Sequence, residues 1–210
     1  MSSRVVLPRL TVELELWQQG LGVIAGVDEV GMGPLAGPVV AAAVVFPPTS
    51  VTEEYPFPFP QGVRDSKTLT ARTRERLEQE ISQAALGMGI GVVEGEEIDR
   101  INIYQAGLKA MRLAVEQLPV IPEHVLIDGR SLSGLPCPQT SFIKGDRDVY
   151  SIAAASIVAK VYRDRLMAAF DKLYPEYGFA RHMGYGTVAH RAALRRFGPC
   201  PIHRRSFRLL

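Results

Sequence analysis

The chain has 210 residues, of which 47% are hydrophobic and 22% charged, an ordinary balance for one globular domain or one domain with a small C-terminal appendage. No run approaches the roughly 18 uncharged apolar residues of a membrane span, and residues 1–10 have Arg4 and Arg9 without the apolar stretch of a secretory signal. The net charge of +2 is unevenly laid out: seven arginines and no acid follow Glu176, which leaves 17 basic against 22 acidic residues in positions 1–176.

In chain order, residues 13–20 read as a short helix carrying Leu14, Leu16 and Trp17 and ended by glycine. Residues 22–28 and 38–46 are rich in Val, Ile and Ala and read as buried strands. The turn between them, residues 31–37, is too short for a helical crossover, so these two strands are expected to be antiparallel. Residues 47–62 hold five prolines and read as a surface excursion. Thr70 caps a helix reaching about residue 86, and residues 88–93 form a strand interrupted by glycines. Asn102, with Gln105 three residues on, opens a second helix that ends near Pro119. Residues 124–128 and 139–143 are short strands. An Ala-rich helix over about 148–173 and a last helix over 187–197 complete the chain. Alternating strands and helices with one antiparallel connection imply a layered α/β domain on a mixed sheet.

The sharpest chemical feature is Asp28-Glu29 closing an apolar strand. Two adjacent acids beside a core strand are costly unless a cation compensates them. At a frayed strand end both can turn toward one ion. Asp128 repeats the pattern in Val-Leu-Ile-Asp-Gly, and Asp146 follows in Phe-Ile-Lys-Gly-Asp. Together the four make a hard oxygen site suited to Mg²⁺ or Mn²⁺, with no Cys/His spacing for zinc. Two ions about 3.5–4 Å apart would stabilise the attacking and leaving oxygens of a phosphoryl displacement. Taken singly, each Asp beside a Gly is ordinarily a turn former.

Gly31, Gly33 and Gly37 let a backbone approach a ligand, although Gly-x-Gly is also a common turn. Arg64, Ser66 and Lys67 suit phosphate contact or simply form a charged loop before a helix. Lys144 lies two residues from Asp146, where it can balance the acids or bind phosphate. Tyr185, flanked by Gly184 and Gly186, is either a stacking platform or a tyrosine packed at a turn. His203, Arg204, Arg205 and Arg208 suit a duplex backbone, and the basic end as a whole fits either a polyanionic partner or a solvated tail. Cys137 and Cys200 have neither metal-ligand nor disulfide spacing and read as incidental thiols of a reducing cytoplasm.

Residues 26–44, Gly-Val-Asp-Glu-Val-Gly-Met-Gly-Pro-Leu-Ala-Gly-Pro-Val-Val-Ala-Ala-Ala-Val, closely resemble the signature of the type 2 ribonucleases H, the bacterial ribonuclease HII group. Four further stretches match in the family's order: Asp65-Ser-Lys67; Leu126-Ile-Asp-Gly129; Lys144-Gly-Asp146 with Ser151 to Lys160; and Gly184-Tyr-Gly-Thr187 with Pro201 to Phe207. The resemblance implies a ribonuclease H-like mixed sheet flanked by helices, with a small helical C-terminal part at about 175–210 of one catalytic domain. It implies metal ligation and catalysis by Asp28, Glu29, Asp128 and Asp146. It also implies recognition of a ribose 2′-hydroxyl by Gly31, Met32 and Gly33 with Tyr185. The implied activity cuts the RNA strand of RNA–DNA hybrids, and cuts duplex DNA 5′ of a single ribonucleotide, by a two-metal mechanism.

Where the family carries Arg, this chain has Met32, which neither donates a hydrogen bond nor carries charge. Met183 stands where relatives often hold Lys. The missing anchor at residue 32 is worth about 1–3 kcal/mol. One rival reading keeps the scaffold but cuts hybrids only; another is a nucleic-acid-binding protein without catalysis, against which the four acids argue. A monomer is the default expectation.

Overall fold

The computed structural model describes residues 7–50 and 58–210. The N-terminal residues 1–6 and the middle of the proline-rich excursion, 51–57, lie outside the described residues, and the expectations made for them go with them. The scaffold is a five-stranded sheet in the order β3-β2-β1-β4-β5, formed by β1 (Ile24–Val30), β2 (Val39–Val45), β3 (Gly87–Val93), β4 (His124–Asp128) and β5 (Gln139–Phe142). β1 and β2 are antiparallel, with Ala25 opposite Val45 and Val30 opposite Val40. β4 and β5 run parallel to β1, so the sheet is mixed, as the short 31–37 turn requires.

Both faces of the sheet are covered, which is why its central strands read as unbroken apolar runs. β2 is buried along its whole length, and each fully buried Val contributes about 1.5–3 kcal/mol. On one face Ala25, Val27 and Ala43 pack against Ala106, Ala110 and Ala114 of α4 (Ile103–Glu116). On the other, Val40, Ala42 and Val44 meet Ala154 and Ile157 of α6 (Tyr150–Leu173), with Leu77 and Ile81 of α2 (Ala71–Ala84) beyond. Small residues set these distances. A Cβ on Gly89 or Gly91 would stand 2.0 or 1.9 Å from the carbonyl oxygens of Ala114 and Ala110, so α4 lies directly on β3. A Cβ on Gly26 would stand 2.2 Å from the Ser151 carbonyl carbon, so the first turn of α6 rests on β1.

The capping residues behave as their chemistry dictates. Thr70 Oγ1 accepts from the Thr73 amide and Asn102 Oδ1 from the Gln105 amide. α1 (Thr11–Gln18) starts two residues before the expected helix. From it Glu13, buried, accepts from both the amide and the hydroxyl of Ser151 at 2.8 and 2.7 Å. A side chain on α1 therefore supplies the cap that α6 lacks locally. Burial raises the Glu13 carboxyl above its usual range.

Sequence patterning overlooked α3 (Gly95–Ile101), whose seven residues bury only Gly95 and Ile98 and give too short a stripe to read. The expected start of the Ala-rich helix at residue 148 is resolved into a short turn, α5 (Gly145–Asp148), followed by α6. The C-terminal part holds α7 (Phe179–His182) and α8 (Val188–Phe197). It packs on Leu35, Ala36 and Met167 through Phe179, Tyr177 and Leu194, and an isolated bridge pairs Ala36 with His203. Among the described residues no helix is long and apolar enough to cross a membrane. Cys137 is half-buried and Cys200 buried, and neither is in a disulfide.

Candidate active site

β1, β4 and β5 end at the same edge of the sheet because they are parallel, the edge where open α/β sheets hold ligands. The last registered pair between β1 and β4 is Val27 with Ile127. Asp28 and Asp128 are each the next residue, side by side where the two strands part. β1 itself continues to Val30, with Glu29 still opposite Ala41. The acids therefore sit inside a strand whose one neighbour has stopped, and not at a frayed end as the sequence suggested. Alternation then separates the pair: Asp28 shares the face of Ile24 toward α6, and Glu29 the face of Ala25 and Val27 toward α4.

Asp146 comes from α5, just past β5. The turn that delivers it passes through Lys144 in the left-handed conformation (φ 62°), and the Gly145 amide donates to Asp128 Oδ1 at 2.6 Å. That bond ties the third acid's strand to the fourth acid's helix. The Glu29 amide donates to Asp28 Oδ1 at 2.8 Å, and Ser156 on α6 hydrogen-bonds the Asp28 carboxylate. The Ser66 hydroxyl lies 2.9 Å from that of Ser156.

Electrostatic interactions link the four acids. Burial, then Glu29 and Asp128, then Asp146 hold Asp28 well above the carboxylate range, against the Ser156 hydrogen bond. Burial and Asp128 raise Glu29, and burial and Asp65 raise Asp128 and Asp146. Lys67 opposes the shift at Glu29, Asp128 and Asp146. Burial alone would lower its ammonium, but Asp28, Asp146, Asp65 and Asp128 outweigh that and raise it. Among the described residues no three His, Cys, Asp or Glu side chains are already gathered in metal-ligating geometry. The cluster is a set of mutually repelling oxygens short of positive charge, a donor set that fits a hard divalent cation.

Beside the acids runs the 31–38 loop, held from below by two buried arginines. Arg163 Nε, Nη1 and Nη2 donate to the carbonyls of Pro38, Met183 and Ala36. Arg204 donates to Gly37 (2.9 Å), Pro34 (2.8 Å), Met32 (3.3 Å) and Gly31 (2.7 Å). Both guanidinium groups are wholly buried. Burial pulls both below the usual arginine range, in Arg204 with help from Arg163, yet a carbonyl partner on every guanidinium nitrogen keeps them charged. With the loop's carbonyls turned inward, the Met32 and Gly33 amides have no intramolecular acceptor among the described residues. Tyr185 stands beside them, 43% exposed, its Cε1 3.7 Å from where a Gly33 Cβ would be.

Two histidines support the tyrosine's backbone. The Cys200 amide donates to His203 Nδ1 at 2.9 Å, so His203 carries its proton on Nε2. That proton is donated to His190 Nε2 at 3.0 Å, and His190 Nδ1–H to the Tyr185 carbonyl at 2.9 Å. Burial and the facing His190 hold His203 down to about 4.

Several expected site residues thus lie together: Asp28, Glu29, Asp128, Asp146 and Lys67 in one charged cluster, Gly31, Met32, Gly33 and Tyr185 along its border. Others are placed differently. Ser66 is buried, and its hydroxyl faces Ser156 and not open surface. Lys144 is exposed, and the cations acting on Asp146 are Lys67 and Arg147. His203 and Arg204 are buried and serve the loop, which corrects their reading as duplex contacts; Arg205 and Arg208 remain exposed. Sequence reasoning missed Asp65 as a fifth acid on the cluster, Ser156 on Asp28, and Arg163. The only available signal for Arg163 was an arginine in an otherwise apolar helix stripe, which ordinarily means a snorkelling side chain.

A mixed sheet carrying acids at the carboxyl ends of its parallel strands, beside an amide-presenting loop, defines a nuclease of the ribonuclease H class. The sequence profile of the ribonuclease HII family matches residues 25–210. The chain is 51% identical over 199 residues to the ribonuclease HII of Syntrophotalea carbinolica, covering 95% of this chain and 91% of that one. To the ribonuclease HII of Geobacter metallireducens it is 53% identical over 198 residues, 94% and 89% of the two chains. Among solved structures, ribonuclease H2 from Pyrococcus horikoshii OT3 superposes with TM-score 0.71 at 26% identity, over 89% of this chain and 94% of that one. Bst-RNase HIII in complex with Mn²⁺ shares the fold, at TM-score 0.61 and 20% identity over 91% and 69% of the chains. The chain belongs to the ribonuclease HII family. It is a type 2 ribonuclease H, a phosphodiester hydrolase acting as an endonuclease on RNA–DNA substrates.

Proposed function

We propose that the protein cuts the RNA strand of RNA–DNA hybrids and also cuts duplex DNA on the 5′ side of a single embedded ribonucleotide, leaving 5′-phosphate and 3′-hydroxyl ends. The observation that carries this reading is the juxtaposition of the four acids with the free amides of Met32 and Gly33 and the exposed ring of Tyr185. Asp28, Glu29, Asp128 and Asp146 would hold Mg²⁺ or Mn²⁺, which when bound supplies water activation and stabilisation of the leaving oxygen by a two-metal mechanism. The chain's own groups do the rest. The loop amides donate to a ribose 2′-hydroxyl oxygen or a phosphate oxygen, and Tyr185 packs on the sugar beside it. Gly145 and Ser156 fix the carboxylates of Asp128 and Asp28, and Lys67 limits their mutual repulsion. No side-chain nucleophile is needed. In this reading residues 1–210 form one catalytic domain whose C-terminal helical part, about 175–210, delivers Tyr185. The protein acts as a cytoplasmic monomer in ribonucleotide excision.

The test is cleavage of a DNA duplex containing one ribonucleotide, beside an RNA–DNA hybrid, with Mg²⁺, Mn²⁺ or EDTA. A metal-dependent cut 5′ of the single ribonucleotide is the expected result. Cleavage of the hybrid alone would overturn the single-ribonucleotide half of the proposal and place the loss at Met32.

A further inference from the structure

Next to the acids, and apart from the amides of the 31–38 loop, is a pocket of about 130 Å³ walled by Glu29, Met32, Tyr104, Met111, Asp128 and Arg130. It is well below the roughly 300 Å³ at which small-molecule sites begin, so a free nucleotide does not fit. One unit of a nucleic-acid backbone does. Met32 forms its apolar floor. The Met32 sulfur lies 2.9 Å from where a Gly107 Cβ would be, so the side chain is laid flat against α4 and reaches for nothing outside.

Arg130 is the cation among these lining residues. It follows Asp128 by two residues, across Gly129 at φ +88°, and is exposed. Among the described residues no carboxylate pairs with it. Its guanidinium carbon instead sits 5.8 Å from the centroid of the half-exposed Tyr104 ring. A cation–π contact with the ring positions the guanidinium while leaving N–H groups free to meet a phosphate. Lys67, by contrast, is committed to the acids. A polyanion approaching this cluster needs a cation that the acids have not already claimed.

We propose that Arg130, held by Tyr104, is a backbone-phosphate anchor beside the acids, occupying the role that the uncharged Met32 leaves open. The inference rests on the reading of the protein as an enzyme that binds nucleic-acid duplexes. The anchor is sequence-independent, since phosphate contacts position a duplex without reading its bases.

The experiment measures binding of a fluorescent all-DNA duplex, which offers no ribonucleotide to cut, between roughly 50 and 200 mM salt. In parallel, kcat and KM are measured on the duplex containing one ribonucleotide. Arg130→Ala is expected to weaken binding roughly tenfold and to reduce the slope of log affinity against log salt by about 0.9, one phosphate's worth. KM should rise by a similar factor with kcat kept. Arg130→Lys should keep the salt slope and lose part of the affinity, because the charge survives and the bidentate guanidinium does not. Arg76→Ala, an exposed arginine of α2, serves as control and should change neither. If Arg130→Ala matches wild type in slope and KM, or if Arg76→Ala loses as much, the anchor is not there. Wild-type protein that neither binds nor cuts the duplexes would instead overturn the functional reading itself.

Discussion

The acid cluster and the arginine-held loop lie against each other at one edge of the sheet, yet they are built on opposite principles. Asp28, Glu29, Asp128 and Asp146 are buried or half-buried like charges, each raised above its ordinary range chiefly by burial and further by neighbouring acids. Arg163 and Arg204 are buried charges of the other sign, yet their donors are matched by seven carbonyl contacts. The first region is left short of its partner, which is the condition for taking up a cation. The second has a carbonyl partner on every guanidinium nitrogen. Unsatisfied charge marks where chemistry happens, and satisfied charge marks what holds it in place.

The largest effect should separate the two. Asp128→Asn is expected to lower cleavage by three orders of magnitude or more, as losing a metal-holding carboxylate removes several kcal/mol of transition-state stabilisation. The metal-free fold should be as stable as wild type or slightly more so, because a repelling charge is gone; urea unfolding with EDTA checks this. A collapse of the fold on this substitution would show that the cluster is structural after all. Arg204→Leu should do the reverse. It leaves the Gly31, Met32, Pro34 and Gly37 carbonyls unpaired and is expected to cost about 3 kcal/mol of stability. The variant that remains folded should lose preference for the single ribonucleotide more than it loses cleavage of hybrids.

A smaller effect follows from His203. Its folded-state value of about 4 lies below the ordinary 6.5, so the unfolded chain takes up the proton first. The stability it contributes is fully present above pH 6.5 and is lost as pH falls toward about 4, by up to about 3 kcal/mol. Thermal unfolding of wild type and His203→Gln over that range should show a larger loss in wild type, since burial also lowers His190 and leaves the variant part of the effect. The smallest effect is expected from Ser66→Ala. If its hydroxyl serves Ser156 and Asp28, stability should fall by about 1 kcal/mol with KM unchanged. A raised KM with unchanged stability would return Ser66 to the substrate.

Patterning reached most of the scaffold because its elements carry strong local signals. β2 is apolar throughout, Thr70 and Asn102 are side-chain caps, and the 31–37 turn is too short for any crossover. It also singled out Asp28, Glu29, Asp128 and Asp146, since carboxylates that follow apolar runs contradict their surroundings and stand out. It did not find α3, which has too few buried positions to show a period. Nor could it tell that Arg204 is interior while Arg205, its neighbour, is exposed. Both are arginines in one basic run, and the carbonyls that claim Arg204 lie about 170 residues away.

The sequence alone therefore determined the strands, the longer helices, the mixed sheet and the family, because each is written in local composition or in ordered motifs. The tertiary structure decided which charges meet. It turned Asp28 and Glu29 to opposite faces, brought Glu13 across to cap α6, laid Met32 against Gly107, and sent His203 and Arg204 under the loop they shape. Those outcomes depend on close approach between segments far apart in the chain, and burial and pairing at such distances have no counterpart in residue spacing.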